Sequence, residues 1–131
     1  MSKELLAILR EIADSTKCKL PEGWGSTTHN GVTAVGFRQD LRWTIVFHDS
    51  IVQDMEHILG VLGRLMRAIE GEGKCRFWRG EQGWQQPYWS LENKDHGTSK
   101  KFYWVLGDVA SEALALAKCV RAACAVEVAH V

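Results

Sequence analysis

The chain has 131 residues, of which 46% are hydrophobic and 24% charged, which fits one folded domain over residues 1–131 and excludes intrinsic disorder. Its formal net charge is zero, so no overall field draws it to nucleic acid or to an anionic membrane. The sequence has no run of 18 apolar residues and no secretory signal peptide, and we therefore expect a cytoplasmic protein with no membrane partner.

The first predicted element is an amphipathic helix from about Lys3 to Lys17. Three of its apolar residues recur at the spacing of one helical face: Leu5, Leu9 and Ile12. Pro21 and Gly23 then interrupt the pattern, as expected of a connection between two elements.

Two antiparallel strands are predicted next, over residues 32–37 and 41–48. The dipeptide Asn30-Gly31, which precedes them, is typical of a tight turn with positive φ at both positions. Apolar and polar side chains alternate through the second strand, and this alternation indicates that only one face of the strand is buried.

A capped helix is predicted in the middle of the chain. Residues 50–53 have the form of a capping box, and an apolar stripe follows: Ile51, Met55, Ile58, Leu62, Leu65 and Ile69. Gly60 and Gly63 lie inside this helix, where each costs roughly 1 kcal/mol relative to alanine. A close backbone approach would explain both glycines, either within the fold or at a homodimer interface.

Three more strands are predicted at about 74–79, 84–92 and 101–106, followed by a helix that Asp108 caps and that runs to about Val126. The stripe of this last helix consists of Val109, Ala113, Leu116, Val120 and Ala123. The predicted order is therefore α-ββ-α-βββ-α. Because the connections are short, we expect an α+β fold, a layered α/β sandwich with a mainly antiparallel sheet of about five strands.

The residue types that carry catalysis or bind metals are scattered. The four cysteines form no C-x-x-C pair and are predicted to be reduced, buried thiols, and the five histidines have no metal-ligand spacing. No cofactor motif occurs, so no cofactor or metal is expected. His48-Asp49, at a strand end, is the one pairing with catalytic chemistry, and a structural role as strand end and helix start is its simpler interpretation.

The segment from Lys74 to Trp104 holds four of the six tryptophans and is mildly basic. Alternate side chains of a strand lie on opposite faces, so Phe77 is predicted to oppose Trp78, and Phe102 and Trp104 to share the face opposite Tyr103. Rings beside cations stack bases or planar ligands, or anchor a protein partner. The candidate binding residues are Arg79, Trp84, Tyr88 and Trp89. Ordinary core packing of strand aromatics is the alternative.

Three features, mainly within residues 50–125, carry a resemblance to a known family. They are the capped middle helix, the tryptophan-rich strands and an alanine-rich closing segment, 110–123, which contains Cys119 and Arg121. This arrangement resembles the phage ABA sandwich domains, small phage and prophage proteins. The resemblance implies a sandwich fold and a mobile-element context, and it transfers no functional residue.

The sequence favours a non-enzymatic binding module over an enzyme, because its rings are numerous and its catalytic motifs absent. The expected partner is a host protein or a small ligand that meets the aromatic strands. Two alternatives remain. Weak single-stranded nucleic-acid binding would use the same strands, and a small hydrolase or isomerase would use His48 and Asp49.

Overall fold

A computed structural model of the chain describes residues 3–29, 32–39, 42–48, 54–82, 86–94, 97 and 99–126. The elements in these residues are α1 (Lys3–Ala13), β1 (Trp24–His29), β2 (Val32–Gln39), β3 (Arg42–His48), α2 (Met55–Gly71), β4 (Cys75–Gln82), β5 (Gln86–Asn93), β6 (Ser99–Tyr103) and α3 (Val109–Cys124). The α+β class and the antiparallel pairing of the strands are confirmed.

The strands form two sheets, β1-β2-β3 and β4-β5-β6, in which every neighbouring pair is antiparallel. The first strand, β1, adds one strand to the predicted order. Its sequence, Trp-Gly-Ser-Thr-Thr-His, lacks alternating large apolar residues, but it pairs with β2 along its whole length, with His29 opposite Val32. The dipeptide 30–31 between these strands lies outside the described residues.

Helix α1 is shorter than the sequence suggested, because a turn replaces its last part. The Asp14 carboxylate accepts hydrogen bonds from the Thr16 backbone N–H at 2.9 Å and from the Thr16 hydroxyl at 2.7 Å. Such a local bond competes with the helical pattern. The predicted apolar face is nonetheless buried: Leu5, Leu9 and Ile12 are each at most 2% exposed.

Helix α2 begins later than predicted, with Asp54 as its N-cap, where the carboxylate accepts a hydrogen bond from the Glu56 N–H at 3.2 Å. The predicted capping box at 50–53 precedes this cap and lies outside the described residues. Another element packed closely against α2 was one expected reason for Gly60 and Gly63, and the described part of the fold has no such contact at either glycine. At both positions, no atom of another described element lies within 4 Å of the point that a Cβ would occupy.

Helix α3 lies at the centre of the helical layer, in contact with both α1 and α2. The N-cap prediction is confirmed: the Asp108 carboxylate accepts from the Ser111 N–H at 3.2 Å. Ala113, Leu116 and Val120 are buried as predicted, and small side chains on the same helix let the neighbouring helices approach closely. Val109 is 37% exposed and does not join this core.

The two sheets lie against different parts of the helical layer. The β1-β2-β3 sheet contacts α1 and α2, whereas the β4-β5-β6 sheet contacts α2 and α3. Ion pairs at the surface join α1 to α3, at 2.9 Å between Glu11 and Arg121 and at 3.1 Å between Glu4 and Lys118. None of the described helices is both long and apolar enough to cross a membrane.

Candidate binding surface

The β4-β5-β6 sheet has an inner face toward the helices and an outer face away from them. Phe77 and Leu91, which are partners in the register, are buried in the core, and Trp89 and Phe102 pack against it from the same face. The outer face carries Arg76, Trp78, Gly80, Tyr88, Ser90, Glu92, Lys101 and Tyr103. The predicted alternation is confirmed: Phe77 opposes Trp78, and Tyr103 lies opposite Phe102 and Trp104.

The four predicted binding residues do not share one surface. Arg79 and Trp89 are register partners on the inner face, whereas Tyr88 lies on the outer face. Trp84 lies outside the described residues. Alternation along β5 separates the neighbours Tyr88 and Trp89, and a sequence pattern of adjacent rings does not distinguish the two faces.

Arg79 joins the sheet to α3, and Trp89 packs against Trp104 beside it. The Arg79 guanidinium lies 5.1 Å from the centre of the Trp104 ring, and Trp104 stacks on Trp89 with ring centres 6.1 Å apart. Arg79 also approaches Glu112 of α3, at 3.8 Å between their charged atoms. Trp104 is only 3% exposed. These contacts give the inner rings a packing role.

The rings of the outer face are held in place by their neighbours. Tyr88 lies across its register partner Gly80 so closely that a Cβ at residue 80 would come within 2.6 Å of the ring. Tyr88 also meets Tyr103 edge to face, with ring centres 5.6 Å apart, and Lys101 places its ammonium 4.8 Å from the centre of the Tyr88 ring. Glycine is therefore required at position 80 for Tyr88 to keep this position.

Exposed apolar side chains concentrate at one end of the sheet. Five large hydrophobic residues are exposed among the described residues, and four of them lie between positions 103 and 109: Tyr103 at 44%, Val105 at 58%, Leu106 at 69% and Val109 at 37%. We call these four residues the apolar tip. Exposed apolar side chains gathered within seven residues indicate an interaction site more strongly than ones scattered singly over the surface do.

Hydrogen bonds fix the backbone of the apolar tip. The Trp104 N–H donates to the Pro87 carbonyl at 3.1 Å, and the Val105 N–H donates to the Ser111 hydroxyl at 3.0 Å. The Asp108 N–H closes the turn by donating to the Val105 carbonyl at 3.0 Å, and Gly107 supplies the positive φ of 85° that the turn needs. The exposed side chains are thus presented by an ordered turn.

Charged side chains of both signs lie near the apolar tip. Lys101 of β6 is exposed beside Tyr103 on the outer face, and Asp108 is exposed within the turn itself. Lys100, the register partner of Leu91, belongs to the inner face, and Arg76, opposite Glu92, lies at the other end of the sheet. Arg76 extends over the Trp78 ring, 6.0 Å from its centre. Glu112, the nearest acid of α3, is paired with Arg79 on the inner face. The apolar tip therefore has charges of both signs beside it.

Sequence reasoning missed Val105, Leu106 and Val109. It assigned the first two to a strand and the third to the core stripe of the last helix. The Gly107-Asp108 dipeptide was the available signal, since glycine followed by an N-cap residue indicates a turn. Residues that flank such a turn are presented at the surface.

The catalytic hypothesis for His48 and Asp49 stays a prediction. His48 is the last residue of β3, and Asp49 lies outside the described residues. Within the described residues, no group of three or more potential ligands is arranged to hold a metal ion. The prediction for the cysteines is confirmed, since Cys18, Cys75, Cys119 and Cys124 are all free and buried.

No family model, curated protein or solved structure significantly matches the chain. The resemblance to the phage sandwich domains stays a prediction.

Proposed function

We propose that this chain is a non-enzymatic module that binds a partner protein through the apolar tip and the adjoining outer face. The observation that carries the proposal is the concentration of exposed apolar side chains within residues 103–109. Burying Leu106 and Val105 against a partner would remove their exposed surface from water, at roughly 25 cal/mol per Å² of apolar area.

The apolar tip has the composition of an interface centre. Binding energy at protein interfaces concentrates in a few aromatic and apolar anchors that a polar rim surrounds. Here Tyr103 and Leu106 would serve as anchors, with Lys101 at the rim. Because the turn through Gly107 is already hydrogen-bonded, binding would lose little conformational entropy in ordering it.

The charge beside the tip is mixed, so apolar contact rather than charge would supply most of the binding energy. Lys101 would pair with a carboxylate of the partner at the rim, which affects the association rate more than the final affinity. The resemblance to phage proteins suggests a host protein as this partner, in a phage or mobile-element context.

Single-stranded nucleic acid fits the same surface less well. Stacking needs a free ring face, but Lys101 covers the Tyr88 ring and Arg76 extends over Trp78. The net charge of zero also removes the overall attraction to phosphate that such binding requires.

A comparison of three forms of the chain tests the proposal. Wild type, Leu106→Ser and Val126→Ser are immobilised at equal density and exposed to host lysate, and bound proteins are quantified. Val126 is 44% exposed and lies away from the apolar tip, so its variant controls for a general loss of apolar surface. We expect a protein that wild type and Val126→Ser retain and that Leu106→Ser loses by at least about tenfold.

Three results would contradict the proposal. One is equal retention of every bound protein by Leu106→Ser and wild type, when circular dichroism shows that both are folded. Another is a parallel loss with Val126→Ser. Retention that disappears after nuclease treatment and falls steeply with salt would instead support the nucleic-acid alternative.

Two further variants separate the outer face from the inner face. Tyr103→Ala removes an anchor of the apolar tip and is expected to lower retention of the same protein. Arg79→Ala changes a residue that faces α3 and is expected to leave retention unchanged, even if it destabilises the fold.

A further inference from the structure

Two of the buried thiols lie where the N-terminal and C-terminal parts of the chain meet. After α1 and after α3 the backbone forms an antiparallel bridge, with Cys18 opposite Ala125. The Lys19 N–H donates to the Cys124 carbonyl at 2.8 Å, and the Val126 N–H donates to the Lys17 carbonyl at 2.8 Å. These bonds place Cys18 beside Cys124, whose thiol donates to the Arg121 carbonyl at 3.9 Å.

We propose that Cys18 and Cys124 are an oxidation site, a dithiol that hydrogen peroxide or an organic hydroperoxide converts to a disulfide. The disulfide would join the two ends of the fold, because most of the chain lies between these residues. This inference is independent of the proposed binding function, since neither cysteine belongs to the apolar tip.

The chemistry of the two thiols differs in a direction that suits this reaction. The neighbouring Cys124 side chain lowers the pKa of Cys18, and the neighbouring Cys18 side chain raises the pKa of Cys124. Burial raises the pKa of Cys75, and it raises the pKa of Cys119 to about 12. The thiolate is the nucleophile in thiol oxidation, so Cys18 is the thiol that reacts first.

Each of the two cysteines borders a cleft that is open to solvent. Cys18 lines an open cleft of about 450 Å³, whose wall includes Ser15, Trp24 and Val126. Cys124 lines a second cleft of about 370 Å³, together with Cys75. The two cysteines are only 2% and 5% exposed, so a peroxide-sized molecule reaches them more readily than a protein thiol does.

The reaction has two steps. The Cys18 thiolate attacks an oxygen of the hydroperoxide; a sulfur–oxygen bond forms, the oxygen–oxygen bond breaks, and the leaving alkoxide or hydroxide takes up a proton. The Cys124 sulfur then attacks the Cys18 sulfenic acid. The sulfur–sulfur bond forms as the sulfur–oxygen bond breaks, and the departing hydroxide takes the Cys124 proton as water. Two thiols are oxidised, and one hydroperoxide is reduced to water or an alcohol plus water.

Mass spectrometry of the wild-type chain tests the assignment directly. Reduced protein is treated with a series of limiting hydrogen peroxide concentrations. The remaining thiols are then alkylated, and the chain is digested with trypsin without reduction. We expect a protein lighter by two hydrogen atoms and a linked peptide that joins Cys18 to the fragment 122–131. Dithiothreitol should reverse both changes, and thermal unfolding of the oxidised form should shift upward by about 10 °C.

Two variants control the assignment. Cys75→Ala leaves both reacting sulfurs in place and should form the same linked peptide at the same peroxide concentration. Cys124→Ala removes the second sulfur, so a Cys18 sulfenic acid should accumulate and react with dimedone. A link between Cys75 and Cys124 in the folded wild-type chain would overturn the proposal, as would irreversible oxidation of Cys18 with no link to Cys124. Because both of these outcomes are measured on the wild-type chain, a variant that fails to fold does not affect them.

Discussion

Ser90 is fully buried even though its side chain lies on the outer face of the sheet. Its register partners Trp78 and Lys101 lie on either side and cover it. The Ser90 hydroxyl has no hydrogen-bond partner among the described residues. A buried polar group without a partner loses its hydration on folding and regains little in exchange.

Replacing Ser90 by alanine should therefore not weaken the fold. For Ser90→Ala we expect an unfolding free energy that is unchanged or higher by up to about 1 kcal/mol, because no hydrogen bond is lost. Ser90→Thr is the contrasting variant, since its extra methyl group would overpack the site and cost about 1–3 kcal/mol. Urea unfolding of both variants measures these differences, and a loss above about 1 kcal/mol in Ser90→Ala would mean that the hydroxyl is bonded.

Cys119 makes the stability of the fold sensitive to alkaline pH. Burial in the centre of α3 raises its pKa from 9.0 to about 12. The unfolded chain releases this proton at a lower pH than the folded chain does, so the stabilisation from the neutral thiol is complete below pH 9 and is lost as the pH rises toward 12. The free energy of unfolding should decrease through this window.

We expect the wild-type chain, kept reduced, to lose about 1.4 kcal/mol more than Cys119→Ala between pH 8 and pH 10. The physical reason is the proton that only the unfolded wild-type chain releases from this residue. Urea unfolding at a series of pH values measures the difference. Because both proteins contain the other groups that titrate in this range, the contributions of those groups cancel in the comparison. Parallel curves of unfolding free energy against pH for the two proteins would contradict a raised pKa at Cys119.

At the scale of elements, Gly60 and Gly63 lower the stability of α2 without a compensating contact from the described residues. Both have helical backbone, and no other described element lies near the place that a Cβ would occupy. Gly60→Ala should raise the unfolding free energy by about 1 kcal/mol, since alanine loses less backbone entropy in a helix. Thermal unfolding would show the gain.

Gly60→Ala also tests the homodimer interpretation of these glycines. If a second copy of the chain packs on this face, the added methyl group would lower dimerisation and the gain in stability would not appear. Sedimentation equilibrium of wild type and variant at matched concentrations distinguishes the two cases, and the structure leads us to expect the same mass for both.

The sequence predicted elements well where periodicity was strong. The stripe of α2 from Ile58 to Ile69 and the Asp108 cap of α3 follow from local rules, and the structure contains both. Strand β1 could not be predicted, because a strand of small and polar residues is defined by its pairing with β2.

The candidate surface was predicted in part, for a related reason. The alternation of side chains correctly predicted that Phe77 lies on one face of the sheet and that Trp78 and Tyr103 lie on the other. Alternation cannot predict which of the two faces the helices cover. Arg79 and Trp89 were therefore grouped with Tyr88, although a sheet separates them. The apolar tip depends on where β6 ends, and strand ends are set by tertiary hydrogen bonds such as that from Trp104 to Pro87.

At the scale of the whole molecule, α3 connects the two sheets. The β4-β5-β6 sheet contacts α3 directly, and the β1-β2-β3 sheet contacts α1 and α2, which both pack on α3. Leu116 of α3 is 2% exposed and belongs to the single core that these elements share. Weakening the middle of this helix should thus destabilise both sheets together.

Leu116→Ala should lower the unfolding free energy by about 3 kcal/mol, because it removes buried methyl groups and leaves a cavity. Native-state hydrogen exchange shows how this loss of unfolding free energy is distributed between the two sheets. We expect the slowest amides of β2, near Val35, and of β5, near Leu91, to lose protection by the same free energy, since both would exchange through one global unfolding event. Leu106→Ala, at an exposed position, is the matched control and should change neither. If Leu116→Ala lowered protection in β5 alone, the two sheets would be separate cooperative units, and the chain would not unfold as one domain.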